Sequence, residues 1–183
     1  DLADAGNRLC RKYGWPTHER QAYRYFVGNG IPKLVERLAP ADQRTPAVLE
    51  VALADFKRDY GQHLRDTTAP YPGIPEMLAK LIANGVQLAV FSNKADALAK
   101  EVVKDYFGTQ YFTIVRGQIT GVAPKPAAEG TNALLQALHA DPASTLYVGD
   151  SNVDVETAHN ANLPCCGAVW GFRTREELNA AGA

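Results

Sequence analysis

A doubly wound α/β domain preceded by an all-helical unit is the fold class that the sequence predicts, and three observations predict it. Over residues 2–64 apolar residues recur at intervals of three and four, as on amphipathic helices. After Tyr71-Pro72-Gly73 they gather instead into short apolar runs separated by helical stretches, the alternation of a parallel sheet with crossover helices. The change of period falls on a Pro-Gly pair, and exposed Pro/Gly linkers commonly bound domains. The expected division is a helical domain over 1–70 and an α/β domain over 71–183, with the hinge between Thr67 and Gly73.

In the helical half, Leu2, Ala5 and Leu9 share one face, and Val48, Leu49, Ala52, Phe56 and Tyr60 share another. Gly14 can end the first helix, Gly28-Asn29-Gly30 makes a turn, and Thr45-Pro46 supplies a cap followed by a helix-starting proline. In the second half the expected strands are Val86 to Phe91, Tyr111 to Val115, Thr145 to Val148 and Cys165 to Val169. The expected helices are Ile74 to Ala83, Asp96 to Tyr106, Ala127 to His139 and Val153 to Ala161, each followed closely by Gly, Asn or Asp-Pro.

Composition excludes several classes. The 183 residues are 46% hydrophobic and 21% charged, and no apolar stretch is long enough to cross a bilayer. A net charge of −1 gives no electrostatic footprint for nucleic acid. No basic stretch precedes an apolar run and cleavage site, so a cytoplasmic protein without a secretory signal is expected. Cys10, Cys165 and Cys166 form no C-x-x-C pair and read as buried reduced thiols, while His18, His63, His139 and His159 are scattered singly.

Ligands of an open parallel sheet gather beyond the carboxyl ends of its strands, so the polar residues following strands come first. Ser92-Asn93-Lys94 could hold a phosphoryl group with a hydroxyl and backbone N–H groups, or Ser92 or Asn93 could simply cap a helix. Gly149-Asp150-Ser151-Asn152-Val153-Asp154 sets two carboxylates four apart where a strand gives way to a helix. Such a pair can hold magnesium, which keeps several waters and needs only one or two protein carboxylates; equally, it can cap the helix and favour its dipole. In Ala123-Pro124-Lys125-Pro126 two prolines restrict a single cation, whose plainer role is that of a solvated loop lysine.

Taken in order, Phe91-Ser92-Asn93-Lys94, Lys125-Pro126 and Gly149 to Asp154 resemble the second, third and fourth motifs of the haloacid dehalogenase superfamily. Val27-Gly28-Asn29-Gly30, Tyr71-Pro72-Gly73 and Val169-Trp170-Gly171 extend the resemblance toward its phosphoglycolate phosphatase group, over essentially the whole chain. The resemblance implies a Rossmann-like core with the helical half as an inserted cap. It implies a magnesium-dependent phosphatase for a small phosphorylated metabolite, 2-phosphoglycolate above others, working through an aspartyl phosphate as a monomer or homodimer. By the same resemblance Ser92 and Asn93 bind and position the phosphoryl group, Lys125 neutralises charge, Asp150 binds magnesium and Asp154 supports the metal site. The turn Gly28-Asn29-Gly30 is implied to reach toward the substrate.

The family's first motif, Asp-x-Asp-x-Thr at the end of an apolar strand, supplies the nucleophile and does not occur here. Asp1-Leu2-Ala3-Asp4 is no substitute, because its acids are three apart, no strand precedes them, and Leu2, Ala5 and Leu9 fit a helical face. In the family that motif's strand lies in the middle of the sheet, so the expectation is a truncated chain with a gap between the strands ending at Phe91 and Val148, unstable alone. Two alternatives accompany the phosphatase: a noncatalytic fragment or pseudoenzyme that keeps the pocket, and a phosphosugar mutase. A phosphonate hydrolase would need a Schiff-base lysine in the cap, and neither Lys12 nor Lys33 has recognisable surroundings for one.

Overall fold

The helical periodicity of the first residues resolves into four helices in a computed structural model that describes residues 1–183. They are α1 (Leu2–Tyr13), α2 (Tyr23–Phe26), α3 (Ile31–Leu38) and α4 (Pro46–Gln62). Gly14 closes α1 in the left-handed conformation, and Thr45 caps α4 by accepting from the Val48 N–H at 3.4 Å, with Pro46 in the first turn. Ala5, Leu9, Ala52, Phe56 and Tyr60 are buried with Leu34, Val35 and Leu38 of α3, so α4 packs against both α1 and α3. Arg8 of α1 donates to both oxygens of Asp59 on α4 at 2.7–3.0 Å, fixing their relative rotation. These elements form one compact unit, Asp1–Ala69.

The second unit, Pro70–Ala183, alternates helices and strands. Its order is α5 (Ile74–Ala83), β1 (Ala89–Ala95), α6 (Asp96–Phe107), β2 (Ile114–Gln118), α7 (Glu129–Leu138), β3 (Tyr147–Gly149), α8 (Asn152–Asn160), β4 (Cys165–Gly167) and α9 (Arg175–Ala181). Strand β1 pairs in parallel with β2, and β3 in parallel with β4, as two separate two-stranded sheets. No pairing joins β1 to β3.

Several boundaries differ from expectation. Strand β1 starts three residues later than Val86 and continues through Ser92-Asn93-Lys94, so these residues lie within the strand rather than after it. The backbone stays extended there because Ala95 still pairs with Gln118, after a register shift beyond Phe91. The second strand begins at Ile114 rather than Tyr111, since Phe112 packs edge-on against Phe107, with ring centres 5.9 Å apart, instead of joining the ladder. Helix α9, capped by Thr174 and Glu177 in a reciprocal box, has no counterpart among the expected elements. All three cysteines are free; Cys10 is buried, but Cys166 is exposed, because alternation along β4 turns its side chain outward.

Candidate active site

The site of the α/β unit is assembled around Lys125. Asn93, near the end of β1, donates from its amide nitrogen to the Lys125 carbonyl at 3.1 Å, and its amide oxygen accepts the Lys125 backbone N–H at 2.8 Å. This reciprocal clasp ties the loop before α7 to β1, and the Lys125–Pro126 bond within it is cis. The side chain is thereby aimed inward. Its Nζ lies 2.6 Å from Asp154 Oδ1 and 3.4 Å from the Phe91 carbonyl. The rings of Phe91 and Tyr147 flank it, with centres 5.8 and 5.9 Å away. Both partners of the ion pair are close to nine-tenths buried, with side-chain exposures of 11% and 10%.

Burial opposes the charge on Lys125, but Asp154 and Tyr147 together outweigh it and hold the ammonium above its ordinary pKa. Burial likewise opposes the charge on Asp154, yet Lys125 and the bonds from Ser151 hold the carboxyl below its ordinary value. Asp154 Oδ2 accepts from the Ser151 hydroxyl at 2.7 Å and from the N–H groups of Ser151 and Asp150 at 3.1 and 3.2 Å. The carboxylate thus closes the first turn of α8 and neutralises the lysine at the same time. The helix-capping role that the sequence allowed for this acid is present, joined to an ion pair with Lys125.

Asp150 has a different environment. Burial first, and then the adjacent Asp154 carboxylate, push its pKa up; the Phe172 N–H, 3.1 Å from Oδ2, opposes them in part. A half-buried carboxylate held against a second carboxylate is a place where a cation would be stabilised. The donor set is two acids rather than a cage of three or more, which suits magnesium, a cation that retains most of its waters. Because both oxygens of Asp154 already accept protein donors, Asp150 is the better placed direct ligand.

Ser92 Oγ accepts from the Lys94 N–H at 3.1 Å rather than capping α6, whose cap position is Ala95. Burial lowers the Lys94 ammonium to about 8. The sequence reading missed the aromatic walls Phe91 and Tyr147, and the approach of Gly171-Phe172 to Asp150. A side chain at Gly171 would overlap the Asp150 carboxylate, so the glycine in Val169-Trp170-Gly171 was the available signal. Gly28-Asn29-Gly30 belongs to the helical unit and joins α2 to α3, with both glycines at positive φ. Asn29 Oδ1 there accepts from Arg37 at 2.9 Å. Asp1 is occupied too: its carboxylate accepts from the N–H groups of Thr67 and Thr68 at 2.8 and 3.0 Å.

Residues 2–168 match the family model of the haloacid dehalogenase-like hydrolases. The chain belongs to that family. The phosphoglycolate phosphatase of Cupriavidus necator is 31% identical over 173 residues, covering 94% of this chain and 75% of the relative. That of Neisseria meningitidis is 30% identical over 175 residues, covering 94% of this chain and 74% of the relative. A crystal structure from Lactobacillus delbrueckii subsp. bulgaricus superposes with a TM-score of 0.93 at 27% identity, over 100% of this chain and 84% of that one. This kinship places the chain among the haloacid dehalogenase-like phosphoric monoester hydrolases, with a core of the family's α/β type. No helix is long and apolar enough to cross a membrane.

Proposed function

We propose that this member of the haloacid dehalogenase-like hydrolases is a magnesium-dependent phosphatase for a small organic phosphate monoester, 2-phosphoglycolate above others. The observation that carries the reading is the buried Lys125 ammonium held by Asp154 against β1, on the strand that bears Ser92. Phosphoryl transfer is catalysed chiefly by alignment and by charge stabilisation over the phosphate oxygens. Lys125 supplies fixed positive charge, the Ser92 hydroxyl a hydrogen bond to the phosphoryl group, and Asn93 the clasp that keeps both in register. Asp150 would hold magnesium with Asp154 behind it, and the ion, when bound, would neutralise phosphate charge. The helical unit acts as the cap, and its Gly28-Asn29-Gly30 turn contributes to choosing the substrate.

In the covalent route an aspartate carboxylate attacks phosphorus, the ester oxygen leaves with a proton, and water then hydrolyses the aspartyl phosphate. Asp154 is committed to Lys125 and Ser151, and Asp1 to Thr67 and Thr68, so neither takes that role. A second reading is a noncatalytic protein that keeps the pocket and binds phosphate esters. The test is calorimetric titration with 2-phosphoglycolate, with and without magnesium, beside turnover of a panel of phosphate esters by the protein as it occurs in the cell. Magnesium-dependent turnover that prefers 2-phosphoglycolate is expected, lowered by about 10²-fold or more in Lys125→Ala and Asp150→Asn. Binding without turnover would favour the second reading, and indifference to 2-phosphoglycolate would overturn the substrate assignment.

A further inference from the structure

Arg37, in the last turn of α3, reaches back over the Gly28-Asn29-Gly30 turn from which that helix starts. Its Nη1 donates to the carbonyls of Tyr25 and Phe26 at 3.1 and 2.8 Å, and its Nη2 donates to Asn29 Oδ1 at 2.9 Å. Carbonyls in the last turn of a helix have no partner within it, so one guanidinium both completes the end of α2 and ties the turn to it. Phe26 is anchored from its side chain as well, its ring edge-on to those of His18 and Tyr23 with centres 5.0 and 5.5 Å away. Asn7 of α1 fixes both neighbours, exchanging two bonds with the His18 backbone and accepting from the Tyr23 hydroxyl, all at 2.9 Å. Asn29 itself is exposed and stands between two glycines at positive φ, which give its backbone wide freedom. The bond from Arg37 limits that freedom and decides how the amide faces. A guanidinium only donates, so Oδ1 meets Arg37 and Nδ2 keeps its hydrogens for another acceptor.

We propose that Arg37 is a positioning residue for substrate choice: by holding Asn29 Oδ1 it presents Nδ2 as a donor to the carboxylate of a phosphorylated organic acid. The inference rests on the proposed function, which gives the phosphoryl group to Ser92 and Lys125 and substrate choice to this turn. A carboxylate offers only acceptor atoms, which suits an amide N–H. Arg37 does not touch the substrate. Without it Asn29 samples other orientations, and binding weakens in proportion to the population that stays competent. The phosphoryl group reacts as before, so the loss falls on KM and not on kcat.

The test compares 2-phosphoglycolate with ethyl phosphate, an ester without the carboxylate, on the protein as it occurs in the cell. Arg37→Ala is expected to raise KM for 2-phosphoglycolate about tenfold, the penalty when the competent population falls to about a tenth. Its kcat should stay unchanged, and KM for ethyl phosphate should not move. Arg37→Lys keeps the charge but not the planar fork and should shift KM in the same direction, which carries the comparison should Arg37→Ala fail to fold. Asn29→Asp keeps an acceptor for Arg37 and loses the donor, so it should weaken 2-phosphoglycolate alone. Hydrogen exchange at the Asn29 and Gly30 amides should quicken by about tenfold in Arg37→Ala while α1 and α4 keep their protection. Unchanged exchange, or quickened exchange with neither KM moved, would overturn the proposal. So would an equal rise of KM for both esters, the mark of a merely structural residue, or full affinity for 2-phosphoglycolate in Asn29→Asp. Wild-type protein that binds neither ester would sink the phosphatase reading and this role with it, a failure visible before any substitution is made.

Discussion

Asp154 spends one oxygen on the Lys125 ammonium and the other on Ser151, in a setting where few waters reach either charge. Removing one partner of a buried pair leaves an uncompensated charge, which costs about 3–5 kcal/mol. Asp154→Asn is therefore expected to lower the urea midpoint sharply, and Lys125→Met in the same background to recover part of the loss. Because the folded state holds the Asp154 carboxyl below 3.8, its contribution is present above that pH and is lost as pH falls through the lower, folded value. Wild-type stability should accordingly decline below pH 3.8 more steeply than that of the double variant. A matched acid slope in the two proteins would argue against the pair. Asp150 and Asp154 stood out in the sequence as acids four apart where an apolar run ends, and Lys125 as a lone cation between two prolines. The Phe172 N–H on Asp150 did not, since 22 residues separate the partners and a backbone donor has no sequence signature.

At the scale of elements, the junction of β3 and α8 shows why a glycine precedes Asp150. The chain turns from strand to helix so tightly that a Cβ at Gly149 would overlap the Cβ and carboxyl carbon of Asp154. Asp154 cannot retreat, being held by Ser151 on one side and Lys125 on the other. Gly149→Ala is expected to cost about 1–3 kcal/mol, the range for overpacking a filled site, and to loosen the lysine with it. Chemical denaturation would give the stability, and the carboxyl carbon resonance of Asp154 would report the broken pair; an unchanged resonance would contradict this account. The order and type of the elements in this unit followed from the apolar runs, but the strand limits did not. Apolarity marks where a strand is covered, whereas its ends are set by pairing, as when Ala95 reaches Gln118 past three polar residues. Helix α9 escaped notice because Leu178 is its single buried residue, too little for a periodic stripe.

Over the whole molecule, apolar side chains are covered unevenly. Tyr25 and Val51 are the large exposed ones in the helical unit, while the α/β unit exposes Met77, Ile82, Val86, Leu146, Val148 and Trp170 among others. Full burial of one such side chain contributes about 1.5–3 kcal/mol, so several left in water forgo a sum comparable with the roughly 5–15 kcal/mol that stabilises a domain. Two-stranded sheets add little on their own, since isolated two-stranded ribbons are marginal in water. The helical unit, by contrast, encloses Cys10, Leu34, Val35, Leu38 and Phe56 almost completely. Unfolding of this chain is therefore expected in two steps, with the α/β unit melting first. The two tryptophans separate the steps, because Trp15 is 3% exposed in the helical unit and Trp170 lies in the other. Buried Trp15 donates to Gln43 at 2.6 Å, so its emission will shift to the red only when its own unit opens. In Trp170→Phe, guanidinium titration should show a first loss of far-ultraviolet ellipticity with Trp15 emission unchanged, and a second loss accompanied by the shift. A single transition in which both signals coincide would mean that the units unfold together and that the uneven covering does not govern stability.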